Sequence, residues 1–308
     1  MVLVTALVEK LAKFFPIGKI DFLVRKGNES LLNNNPHLNK VLVWDKKQNK
    51  YSNLFKLTNQ IRKNKYDVVI NLQRFASTGF LAGFSKANSI IGFKKNPLSF
   101  LFSQTFEHTI GDGKHEVERN LKLIEHLTNN EIEKPSLYPA EADFEKVKTF
   151  KSEKYITLSP ASVWYTKALP VEKWIELINL KSNFKIYLLG GLSDKSFLDE
   201  IKSKSKQQNI ENLAGKLSFL QSAALMQDAD MNYVNDSAPL HFASSVNATV
   251  TAFFCSTTPK FGFGPLSSNN KIVETSEYLD CKPCGLHGKK ECPQGHFKCG
   301  KNIDVSDI

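Results

Sequence analysis

No stretch of this 308-residue chain comes near the roughly 20 uninterrupted apolar residues that a helix needs to cross a bilayer, so the sequence reads as soluble or at most peripheral to a membrane. The apolar opening at residues 1–8 has no basic segment ahead of it and runs at once into Glu9 and Lys10. It therefore reads as a helix face and not as a secretory leader. Cysteine is scarce and odd in number: five in all, four of them within the last 30 residues. With no mark of secretion, this usage argues for a reduced cytosolic compartment and against a disulfide framework. Also missing is any Gly-x-Gly-x-x-Gly after a strand pattern, which counts against a nicotinamide-dependent oxidoreductase.

What is present is enough apolar material, 41% of residues, for two cores, and a length better suited to two domains than to one. The net charge of +10 is unevenly shared. Residues 1–140 hold 21 Lys and Arg against 12 Asp and Glu, while residues 141–308 hold 20 against 19. The first half is the electropositive one, and such a field favours anionic partners: nucleic acid, an acidic membrane leaflet or a phosphorylated glycolipid. A lysine-rich solvated surface gives the same count.

Both halves alternate helix and strand patterns, the signature of largely parallel sheets in a doubly wound α/β fold. In the first half, residues 2–15 place Leu3, Ala6, Leu7, Leu11 and Phe14 on one helical face. Residues 19–24, 41–44 and 66–72 read as short buried strands, with helices over 51–65 and 116–127. A Pro-bearing stretch at 135–142 reads as the linker between domains 1–140 and 141–308. In the second half, strands are expected at 155–159, 185–189, 231–234 and 249–254. Helices are expected from Pro170 through Ile178, over 194–203, after Ser218 (with Gln221 as a capping box) and over 240–246. Paired domains of this kind bind ligands at the carboxyl ends of their strands.

Three loops at strand ends carry the chemistry. The run Asn235-Asp236-Ser237-Ala238-Pro239-Leu240-His241 leaves a strand and opens a helix, where free backbone N–H groups and the positive helix end suit a pyrophosphate. Asp236 or Ser237 acting as an ordinary helix N-cap, and His241 as a satisfied core histidine, explain the same residues without a ligand. Residues 159–170 add hydroxyls and Lys167 ahead of a helix, and residues 256–265 add Ser256, Thr257 and Thr258 with Gly262 and Gly264. Each loop alone is ordinary in composition, but three hydroxyl-rich loops at the ends of one sheet are less so.

The order Ser159-Pro160-Ala161-Ser162, Lys167, Pro170, Trp174, then Gly190-Gly191, then Asn235 to His241, then Ser256-Thr257-Thr258-Pro259 and Gly262-Phe263-Gly264-Pro265 resembles the donor domain of the lipopolysaccharide heptosyltransferase family, glycosyltransferase family 9. His115-Glu116-Val117-Glu118-Arg119-Asn120 resembles a signature of its other domain. The resemblance spans nearly the whole chain. It implies two Rossmann-like domains of the GT-B type, the first for the acceptor and the second for an ADP-sugar. It also implies transfer with inversion and without a metal or other cofactor.

On that resemblance Lys167 supports the donor phosphates and, with Asp236, forms the catalytic pair. Ser162, Asp194 (at the ribose), Leu217 (beside the base), Ser237, Ala238, His241 and Thr257 hold the donor. Ala238 departs from the glycine usual there, which tightens any phosphate approach. The implied acceptor is a lipopolysaccharide core or lipid A-type molecule, reached from the cytoplasm at the inner-membrane surface, with heptose as the sugar and no nucleic acid partner. The family base is an aspartate of a Gly-Asp pair, and residues 1–6 match the family residues immediately after that pair. The first sheet is accordingly expected to lack its first strand, the last helix to be missing after residue 308, and transfer by this form to be weak. Cys281, Cys284, Cys292 and Cys299 keep a zinc reading open, and with it a basic nucleic-acid binder as the alternative function.

Overall fold

The computed structural model describes residues 1–308, which form two compact units dividing after Pro135. The division falls five residues before the expected one because residues 136–140 already bond to the second unit: the Leu137 N–H donates to the Ser245 carbonyl, 3.4 Å.

In the first unit, α1 (Thr5–Phe14) follows a 3-10 turn at Val2–Val4 and buries Ala6, Leu7 and Val8. β1 (Ile20–Arg25) and β2 (Leu38–Trp44) pair in parallel. α2 (Lys50–Asn64) buries Leu54, Leu57, Thr58 and Ile61, a spacing that keeps one face inward. β3 (Val68–Asn71), α3 (Ala76–Gly83), β4 (Ser89–Phe93) and β5 (Gln104–Phe106) follow, with β3, β4 and β5 pairing in parallel in that order. The five strands thus fall in two sheets, β1-β2 and β3-β4-β5. α4 (Glu116–Lys122) then ends in a separate 3-10 turn at Glu125–Leu127, where a single helix to residue 127 was expected.

The second unit opens with α5 (Glu141–Val147), whose first two residues fall in the stretch expected as linker and whose remainder the sequence did not suggest. One six-stranded parallel sheet follows, built from β6 (Tyr155–Ser159), β7 (Lys185–Leu188), β8 (Ile210–Asn212), β9 (Met231–Asn235), β10 (Val250–Phe253) and β11 (Asn270–Val273). Its order is β11-β10-β9-β6-β7-β8. Every residue of β6 and β10 is buried, as expected of strands covered on both faces. α6 (Val171–Leu180) lays Trp174, Leu177 and Ile178 on the sheet, and the Trp174 ring meets Phe253 edge to face at 5.3 Å. α7 (Lys195–Lys204) and α8 (Phe219–Gln227) complete the β7–β8–β9 connections. The Ser218 capping box forms in both directions, at 3.1 and 3.0 Å. α9 (Ala238–Ser245) joins β9 to β10, and α10 (Lys298–Lys301) lies in the cysteine-rich tail. Ile303 and Val305, beyond α10, are buried in the core of this unit.

Candidate active site

Because all six strands of the second unit are parallel, their carboxyl ends lie along one edge. At its centre Asn235 ends β9 fully buried, and its amide pins the loop that leaves β6. Nδ2 donates to the Pro160 carbonyl at 2.7 Å, and Oδ1 accepts from the Leu169 N–H at 2.9 Å. That loop carries Lys167 on a 3-10 turn, Tyr165–Lys167. The Lys167 Nζ reaches Asp236 Oδ2 at 2.6 Å, and the Thr257 hydroxyl donates to the same oxygen at 2.7 Å. The three loops expected to share a sheet edge thus meet at one carboxylate. Asp236 and Thr257 are buried, and the Lys167 side chain is 18% exposed. An ammonium has three donors, so two remain on Lys167 after Asp236 is served.

The N-cap reading of this motif does not hold. Asp236 is committed to Lys167 and Thr257, and the Ser237 hydroxyl turns back to the Asn235 carbonyl at 3.4 Å. No side chain caps α9, whose first turn begins at Ala238 with Pro239 behind it. The helix therefore presents an uncapped N-terminus beside Lys167's partner, and an anion there gains from both.

The remaining candidates are spread along the same edge in sheet order. Thr257 stands after β10, Asp236, Ser237, Ala238 and half-buried His241 after β9, and half-buried Ser162 with Lys167 after β6. Asp194 follows β7, and Leu217, half-buried, follows β8. Two of them have structural work. Thr257 orients Asp236 through its hydroxyl, and Asp194 Oδ2 accepts the Gly191 N–H at 2.8 Å, closing the turn that starts α7.

The cysteine tail gathers no group of three or more His, Cys, Asp or Glu side chains able to hold a metal ion. Cys281 Sγ is 3.9 Å from His296 Nε2, the Cys284 thiol donates to the Cys281 carbonyl, and Cys292 Sγ accepts the Phe297 N–H at 3.4 Å. Cys299 packs in the core with Cys255, and burial pushes its thiol up to about 11.

The first unit holds functional candidates that its sequence did not single out. Arg25 ends β1, and Lys46, Arg74 and Lys95 stand two or three residues past the ends of β2, β3 and β4. Lys46 lies over the Trp44 ring at 4.2 Å, Arg74 over Phe75 at 5.6 Å and Lys95 over Phe93 at 4.9 Å. Burial, then the charges of Arg25 and Lys50, lower Lys46 below the ordinary ammonium value. Burial also lowers Lys95 against the pull of Glu116, with Arg74 and Arg119 adding to the fall. A cation at or just past each of four successive strand ends was the sequence signal. The His115-to-Asn120 motif instead braces the unit. His115 caps α4, and Arg119 binds Glu116 at 3.0 Å and Asp112 at 2.9 Å.

Two parallel α/β units in one chain, one with a cation, a carboxylate and an open helix end at the carboxyl edge of its sheet, fit the scaffold that glycosyltransferases of the GT-B class use. The sequence narrows this. The model of glycosyltransferase family 9 (heptosyltransferase) matches residues 54–295, and the chain belongs to that family. Lipopolysaccharide heptosyltransferase 3 of Escherichia coli is 26% identical over 286 residues, 87% of this chain and 84% of that protein. Among solved structures, the glycosyl transferase family 9 protein from Veillonella parvula superimposes with a TM-score of 0.81 at 22% identity, covering 89% of this chain and 82% of that one. The Escherichia coli ADP-heptose lps heptosyltransferase II gives 0.78 at 19% identity, covering 92% of each. Neither the oxidoreductase nor the nucleic-acid-binding alternative finds support in these relatives.

Proposed function

We propose that the chain transfers heptose from ADP-heptose to a lipopolysaccharide core acceptor, with the donor on the second unit and the acceptor on the basic edge of the first. The observation that carries the donor half is the meeting of Lys167, Asp236 and Thr257 beside the uncapped end of α9. As the anomeric carbon takes the acceptor oxygen and the diphosphate leaves, negative charge grows on the phosphate oxygens. Lys167 and the N–H groups of Ser237 and Ala238 at the start of α9 face that charge, and Asp236 holds the ammonium in place. From β9 to β8 the edge spans three strand steps, about 14 Å, which suits a diphosphate at Ser237 and Ala238 and a nucleoside toward Asp194 and Leu217.

The acceptor half rests on Arg25, Lys46, Arg74 and Lys95, whose charge complements a phosphorylated glycolipid. No helix is long and apolar enough to cross a membrane, and a basic first unit fits work at the cytoplasmic face of an anionic bilayer. The names of the relatives supply the sugar and the acceptor class. The test is a melting-shift titration of the chain with ADP, UDP, GDP and their sugars, followed by transfer to a lipopolysaccharide core acceptor. ADP and ADP-heptose are expected to raise the melting temperature and the others not. Equal protection by UDP, or transfer only from a UDP-sugar, overturns the donor assignment.

A further inference from the structure

The residue ahead of Lys167 is tied by every polar atom it has. Thr166 is buried, its N–H donates to the Lys289 carbonyl at 3.1 Å, and its hydroxyl oxygen accepts the Lys289 N–H at 2.8 Å. The Ser256 N–H donates to the Thr166 carbonyl at 3.2 Å, and the Ser256 hydroxyl to Thr166 Oγ1 at 3.0 Å. Two segments distant in sequence therefore grip the backbone next to the lysine: the loop after β10, and the cysteine-rich tail at Lys289. The tail is itself fastened beside them. The Cys284 N–H donates to the Ser256 carbonyl at 2.9 Å, and Lys282 Nζ donates to the Phe254 carbonyl at 2.9 Å while pairing with Glu274 at 2.8 Å.

Gly288, just before Lys289, lies flat against the lysine. A Cβ built there falls 2.6 Å from Lys167 Cγ and 2.5 Å from Trp164 Cβ. These are atoms near the backbone, not the free ends of flexible side chains, so any side chain at 288 must move either the tail or Lys167. The absence of a Cβ at 288 thus fixes where the stem of Lys167 runs, and the stem fixes where its ammonium stands relative to Asp236.

We infer that Gly288 and the Thr166–Lys289 pairing are positioning elements for sugar transfer: the cysteine-rich tail is a strap that seats Lys167 at the donor phosphates. The inference rests on the reading of Lys167 as the group that supports the leaving diphosphate. It gives the tail a task at the active site without a metal and without nucleic acid.

The experiment measures kcat and donor KM for Gly288→Ala, Lys167→Ala and the double variant, with melting temperatures alongside. Gly288→Ala is expected to lower kcat by about a hundredfold, the usual cost of a displacement near 1 Å in a reacting array, with a smaller change in donor KM. In the Lys167→Ala background it is expected to change kcat less than twofold, because the group it displaces is gone. A full loss in both backgrounds, or none in either the single or the double variant while Lys167→Ala is impaired, overturns the strap. An unimpaired Lys167→Ala removes the underlying reading of the lysine itself, so the two failures are told apart. Should Gly288→Ala fail to fold, Thr166→Val against Thr166→Ser replaces it. Valine keeps the shape and loses the oxygen, and is expected to lower kcat at least tenfold, while serine restores the oxygen and most of the rate. Equal rates for the two overturn the proposal.

Discussion

The two units are built from the same alternation of strand and helix but use their sequence differently. In the second, β6 and β10 are buried at every position, and the core runs through Trp174, Phe253, Leu188 and Tyr233. In the first, β2 is exposed to solvent at Asn39, Lys40 and Val43, and the strands fall in two short sheets. The more deeply buried unit carries the Lys167–Asp236 pair, and the more exposed one carries the cations. A site that must hold a carboxylate and an ammonium within 2.6 Å needs a scaffold that does not give, whereas a charged landing surface does not.

The sharpest test of that contrast is the core itself. Trp174 is fully buried and meets Phe253 edge to face. Trp174→Ala is expected to cost the second unit about 3–5 kcal/mol, read as a lowered urea midpoint and faster amide exchange in β6 and β9. Exchange in β1 and β3 should stay as it was. Equal acceleration in both units would mean that they unfold as one body and that the contrast is only apparent.

Next in size is Lys167. Lys167→Ala is expected to lower kcat by about 10²–10³ with saturating donor, since its partner charge develops only as the diphosphate leaves. Asp236 keeps the Thr257 hydroxyl, so the fold should persist. A change confined to donor KM would recast Lys167 as a group that binds substrate and transition state equally well.

The central strands of the second unit were more legible in the sequence than its edge strands or the last strand of the first unit, and the reason is physical. Buried strands such as 155–159 are short runs rich in β-branched and aromatic residues bounded by turns, and Ser218 with Gln221 announced α8 by a local motif. β5, β8 and β11 have three or four residues each and are strands only because a neighbour pairs with them. Lys167, Asp236 and Thr257 were each visible as loop residues, but their meeting depends on sheet order, which no local pattern encodes. The cations at Lys46, Arg74 and Lys95 appeared only as a bulk charge, because lysine is common in this chain. Gly288 carried no signal: its role is a close approach between segments about 120 residues apart.

A brace of intermediate size separates the units by pH. Glu116 is half-buried between His108, 3.1 Å away, and Arg119. Burial by itself raises its carboxyl, but the His108 hydrogen bond and charge, and then Arg119, hold it below the ordinary value of 4.5. A depressed folded value means that its stabilisation is fully present above about pH 4.5 and is lost as the pH falls through the folded value. Glu116→Gln should cost the first unit about 2 kcal/mol at pH 7, less than a fully orphaned partner, because Arg119 keeps Asp112. The difference between variant and parent should shrink below pH 4. A cost that stays constant down to pH 3 would assign the effect to packing.

The smallest expected effect tests the division of labour most directly. Arg74 and Lys46 sit over the faces of Phe75 and Trp44 at the carboxyl edge of the first unit, with Arg25 and Lys50 adding positive charge near Lys46. Each is one of several cations, so removing one leaves most of the field in place. Arg74→Ala and Lys46→Ala are expected to weaken binding of a phosphorylated core acceptor by about threefold to tenfold each, with the loss fading as salt shortens the Debye length from about 10 Å at 0.1 M to about 3 Å at 1 M. The donor-induced melting shift should not move, because every donor contact proposed lies on the other unit. Lys202→Ala, an exposed lysine on α7, is the control and is expected to leave acceptor binding unchanged. If Lys202→Ala weakens the acceptor as much as Arg74→Ala does, the attraction belongs to net charge alone. The acceptor then has no seat on the first unit's strand ends, and the asymmetry of charge between the two halves says nothing about where the glycolipid binds.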